Sequence, residues 1–139
     1  MTDAITGPTS PSLLRLLASL SGFSAVALGA FGAHALTPRL SHLPLVESTK
    51  LLSNWRTAAT YHLIHSLALL YVSDRAEMRT AGKTDLAGYL FAVGNVLFSG
   101  SIYALVLDQR RSLPRKVLGP ATPVGGLCYL AGWIALYWC

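Results

Sequence analysis

Leu86-Ala-Gly-Tyr-Leu-Phe-Ala-Val-Gly-Asn-Val-Leu-Phe-Ser-Gly-Ser-Ile-Tyr-Ala-Leu-Val-Leu107 carries no formal charge along its whole length. A helix in a watery core needs a polar face, and this stretch has none. Its polar residues are Asn, Ser and Tyr, all tolerable in lipid. A bilayer core of about 30 Å is crossed by roughly 20 apolar residues in helix. The stretch therefore reads as a membrane span.

Three more stretches resemble it. One runs 13–36, with Arg15 near its start and His34 near its end. One runs 57–73, uncharged except for its two histidines, and is lengthened backwards by the mildly amphipathic 51–56. The last runs 117–139, again uncharged. Trp55 and Arg56 are expected at the membrane–water interface, where an amphipathic ring and a snorkelling guanidinium cost little. The expected architecture is all-α, a single four-helix transmembrane bundle over 13–139, after a flexible tail of residues 1–12.

Composition agrees. The 139 residues are 53% hydrophobic and only 12% charged, against about 25% charged in a typical soluble domain. Mean hydropathy is +0.48. Two cysteines exclude a disulfide scaffold, and the hydrophobic content excludes general disorder. The net charge of +5 sits in loops between apolar runs, which suits basic membrane loops and not a nucleic-acid face. The implied partner is the lipid bilayer, with a second copy or another membrane protein as a further candidate, and no nucleic acid.

The connections carry start and stop signals. Ser10 before Pro11 suits a helix start, Thr37-Pro38 is expected to end the first span, and Asp85 is the expected N-cap of the third. Pro120 and Pro123 are expected to kink the entry of the fourth span or lie just outside it. The first span is read as a retained helix and not a cleaved signal, because residues 1–12 hold no positive charge and the apolar run is long. The eleven Lys and Arg divide four to seven between the two sides of a four-span protein. Arg39, Lys50, Arg56, Arg110, Arg111, Arg115 and Lys116 lie on the richer side, which favours both termini outside.

Without a hydrophobic drive in lipid, helices associate through small residues. Ser21, Ala25, Gly29 and Ala33 form one such stripe, and Gly125, Gly126 and Gly132 offer another. The intramembrane polar residues form the candidate site. His62 and His65 share a helix face, and His34 is expected at the same membrane surface as the first half of that helix. Asn95, Ser99 and Tyr103, spaced four apart, form a polar stripe on the third span. Interhelical hydrogen bonding is the simplest role for all six. The alternatives are a carrier or channel path along the stripe, or a haem or metal site at the three imidazoles. No nucleophile elbow, zinc-protease or paired-cysteine pattern is present, and no span holds a carboxylate. The expectation is a non-enzyme with no catalytic residues, no cofactor and no metal.

Four segments together resemble a known family. They are Gly29-Ala-Phe-Gly-Ala-His34, His62-Leu-Ile-His-Ser-Leu-Ala-Leu-Leu70, Leu97-Phe-Ser-Gly-Ser-Ile-Tyr103, and Pro120-Ala-Thr-Pro-Val-Gly-Gly126 followed by Ala131-Gly-Trp-Ile-Ala-Leu136. In this order and spacing, over roughly 14–138, the chain is similar to the transmembrane protein 256 family. The resemblance implies a small multi-span membrane protein with no established reaction, substrate or ligand, and it supplies no catalytic residues.

Overall fold

The computed structural model describes residues 12–77, 86–109 and 112–137. They form four helices: α1 (Leu13–Arg39), α2 (Leu45–Glu77), α3 (Leu86–Leu107) and α4 (Arg115–Leu136). Each packs antiparallel on the next. The register shows this: Arg15 reaches Asp74, Ser99 reaches Ala58, and Ser101 reaches Thr122. Of the three long apolar helices, α3 is the most enclosed.

The helix α1 starts at Leu13 with Ser12 as its cap, the hydroxyl accepting from Arg15 N at 3.3 Å. Ser10, Pro11 and Asp85 lie outside the described residues. Thr37-Pro38 does not end α1. A π-helical turn at Gly32–Leu36 comes first, and the helix then runs on to Arg39. The wider turn leaves room for a ring that has no N–H to give. A second π turn, Asn95–Gly100, lies in the middle of α3. Pro120 and Pro123 lie inside α4, whose cap is Pro114.

The largest departure from the sequence reading is α2. It is continuous over 33 residues, a length of about 50 Å. It is not among the three helices long and apolar enough to cross a membrane, and its second half carries His62, His65, Tyr61 and Tyr71 among the apolar residues. The expected interfacial Trp55 is instead 1% exposed and belongs to the core with Leu36, Leu40, Ala58, Tyr103 and Val106. Arg56 is exposed, as expected. The reason is a contact no span pattern encodes: Gly32 of α1 lies against the Trp55 indole, whose Nε1 donates to Leu28 O at 2.8 Å. A second core gathers Leu14, Ala18, Leu69, Val72, Phe91 and Tyr129 at the other end.

Outside these cores the surface is oily. Phe23 is 75% exposed, Val96 70% and Ile134 68%. Large apolar side chains outside the bundle are the reverse of a watery protein's pattern and are what lipid solvates.

Candidate functional site

A hydrogen-bond network at mid-bundle joins all four helices. Tyr129 of α4 donates to Asn95 Oδ1 of α3 at 2.8 Å, and Asn95 Nδ2 donates to Ser21 Oγ of α1 at 2.9 Å. Ser21 meets Ser66 of α2 at 2.7 Å, and His62 Nε2 meets the same Ser21 Oγ at 3.1 Å. Ser66 donates to His62 O at 2.7 Å. Ser99 donates to Ala58 O at 2.9 Å.

Proton counting orients the chain. The only hydroxyl proton of Ser66 goes to a carbonyl, so Ser66 Oγ accepts from Ser21. Ser21 has then spent its own proton, and its oxygen accepts from both Asn95 Nδ2 and His62 Nε2. His62 therefore carries its proton on Nε2, and its Nδ1 is a bare acceptor.

His65 is settled differently. Its Nδ1 donates to Tyr61 O at 2.7 Å, and its Nε2 accepts from Trp133 Nε1 at 3.1 Å. Both nitrogens are occupied in complementary roles. The ring also stacks on Tyr129, with centroids 3.5 Å apart and planes 11° apart.

The six candidate polar residues divide. His62, His65, Asn95, Ser99 and Tyr103 are all buried, and His34 is exposed. The three imidazoles do not converge. Gly32 lies against Trp55, so His34 is level with the turn of Trp55, about 10 Å along α2 from His62 at 1.5 Å per residue. Among the described residues no group of three or more His, Cys, Asp or Glu could hold a metal. The haem or metal alternative through His34, His62 and His65 fails on that placement.

The packing residues divide too. Ser21 is the hub of the network, and Ala25 is 2% exposed. Gly29 has nothing within 4 Å of where a Cβ would stand, and Ala33 is exposed, so the first stripe is closely packed only in its first half. The close approach shifts instead to Gly32, off the stripe. On α4, Gly125 lies directly on the α3 backbone at Phe98, and a Cβ on Gly132 would stand 2.7 Å from the Phe91 ring. Gly126 is looser, with its Cβ position 3.8 Å from Phe98.

Sequence reasoning missed three residues. Ser21 was read as small, although its hydroxyl matters more than its size. Ser66 and Tyr129 complete the chain, and Ser66 was legible as the residue four after His62 on the same face. Asp108, just past the end of α3, is 7% exposed. Its carboxylate accepts from Ser112 N and Ser112 Oγ, both at 2.8 Å, and from Leu113 N at 3.1 Å.

Comparison with known proteins agrees on class. Residues 28–126 match the family described as Protein of unknown function (DUF423). A UPF0382 membrane protein of Schizosaccharomyces pombe is 42% identical over 120 residues, covering 86% of this chain and 94% of that one. One from Staphylococcus aureus is 40% identical over 124 residues, covering 89% and 91%. A UPF0382 inner membrane protein of Escherichia coli, YgdD, is 36% identical over 121 residues, covering 86% and 82%. No solved structure matches. With its oily exterior and three helices long and apolar enough to cross a bilayer, the chain is a small multi-pass membrane protein and belongs to this family of unknown function, DUF423.

Proposed function

We propose that the protein is a non-catalytic, four-span accessory or structural component of its membrane. The observation that carries this reading is the fate of the polar stripe. Asn95 and Ser99 are spent on bonds to Ser21, Tyr129 and Ala58 inside the bundle. A transport path needs a run of polar groups left for its cargo, and of the stripe only Tyr103 keeps an unpartnered hydroxyl among the described residues. The outer face of α2, where Leu63, Ile64, Leu67 and Tyr71 are exposed, supports its being the fourth span. Acting without chemistry, the protein works by contact with another membrane chain, a second copy included. The quoted segments support extending the likeness to the transmembrane protein 256 family.

The test is Asn95→Leu. It removes the link between α1 and α4 and leaves the Tyr129 hydroxyl only its longer contact with Ser99 Oγ at 3.4 Å. We expect thermal stability in detergent to fall by about 1–3 kcal/mol. We also expect no flux of protons, sodium, potassium or chloride through wild-type protein in liposomes. A wild-type flux that vanished in Asn95→Leu would overturn the reading in favour of a carrier.

A further inference from the structure

Two buried polar atoms have no hydrogen-bond partner among the described residues: His62 Nδ1 and Tyr103 Oη. The residues are 8% and 6% exposed, and their ring centroids lie 6.1 Å apart. A buried polar atom left unpaired costs about 1–3 kcal/mol, and lipid offers no water to relieve it. Both residues line one pocket of about 390 Å3, together with Leu17, Leu28, Asn95 and Gly100. Its wall is otherwise largely apolar. The volume falls within the range of small-molecule sites, roughly 300–1,000 Å3. Part of the wall comes from the π turn Asn95–Gly100, and π turns inside helices recur at functional sites.

We propose that this pocket binds an apolar, membrane-soluble alcohol whose hydroxyl bridges His62 Nδ1 and Tyr103 Oη. The hydrogen-bond count selects the chemistry. The bonds around Ser21 make Nδ1 a bare acceptor, so the guest must donate to it. Tyr103 has a phenol proton to give, so the guest must also accept. A hydroxyl does both with one oxygen. A carbonyl or ether only accepts and leaves Nδ1 stranded, and a carboxylate or ammonium would bury a charge. Each orphaned atom exposes less than 1 Å2, so the proposal requires the Tyr103 ring to turn toward the guest while His62 keeps its bond to Ser21. A Cβ on Gly100 would meet nothing nearer than Asn95 O at 3.9 Å, which leaves space at the wall. The proposal goes beyond the accessory reading and does not depend on it.

The test uses the full chain in lipid nanodiscs with two probes: a diazirine-bearing octanol and its methyl ether. Labelled residues are located by mass spectrometry. We expect the alcohol to label pocket residues of α1 and α3 saturably, and unlabelled octanol to compete. The ether should label weakly. In Tyr103→Phe the half-saturating concentration of the alcohol should rise about fivefold, the worth of one neutral hydrogen bond. The alcohol-to-ether comparison stands on the unaltered protein should that variant fail to fold. Equal labelling by both probes, labelling that does not saturate, or a pocket that holds only a bridging water would overturn the proposal.

Discussion

Gly29 and Gly125 look alike in the sequence, each a small residue in an apolar helix, and the bundle treats them oppositely. A methyl at Gly29 enters open space, whereas a methyl at Gly125 enters the backbone of Phe98. We expect Gly125→Ala to lower stability by about 1–3 kcal/mol through overpacking. Gly29→Ala should be neutral or gain up to about 1 kcal/mol from helix propensity. Thermal unfolding of both variants in detergent checks the contrast, and equal midpoints would refute it. The polar residues were legible in a different measure. The spacing of Asn95, Ser99 and Tyr103 put them on one face, and all three are buried. It could not say that Ser21 would receive two donors at once. That depends on the rotation of α1, set by Gly32 against Trp55 a few turns away.

At the scale of the element, α3 was legible to its ends, since an uncharged run bounded by polar loops has only one way to lie in lipid. The start of α2 was not. Residues 45–56 mix charge with apolar side chains, a pattern open to loop or helix. Packing of Leu51, Leu52 and Trp55 on α1 and α3 decides for helix. Asp108 shows the same dependence at the α3–α4 connection. Burial alone pushes its carboxyl pKa up. The Leu113 and Ser112 N–H groups, the Ser112 hydroxyl and the Arg115 charge outweigh that and hold it below the ordinary carboxylate value. A depressed carboxyl stabilises the fold fully above the unfolded value, about 3.9. That support is lost as pH falls through the lower folded value. Asp108→Asn should therefore melt below wild type at pH 7, and the gap should close in acid beneath that folded value. A gap independent of pH would contradict the bonding described.

For the whole molecule, the number of crossings governs topology. On the proposal that α2 is the fourth span, both termini share a side. On the sequence count, in which residues 37–56 and 108–116 hold seven Lys and Arg against four elsewhere, those segments are expected on the cytoplasmic side. Alkaline phosphatase fused to the C-terminus should be active, and a green fluorescent protein fused there should be dark. A bright fluorescent fusion would refute this orientation. Class was settled by the sequence, because the free energy of an uncharged helical run in lipid depends on its own residues and length. The four apolar stretches, three of the spans and the interior polar stripe follow from that sum. Partnership was settled by the tertiary structure. Which hydroxyl meets which amide, which glycine yields to an indole, and which imidazole faces outward depend on the rotation and depth of each helix against its neighbours. Those are fixed by contacts between residues far apart in the chain, which no local pattern records.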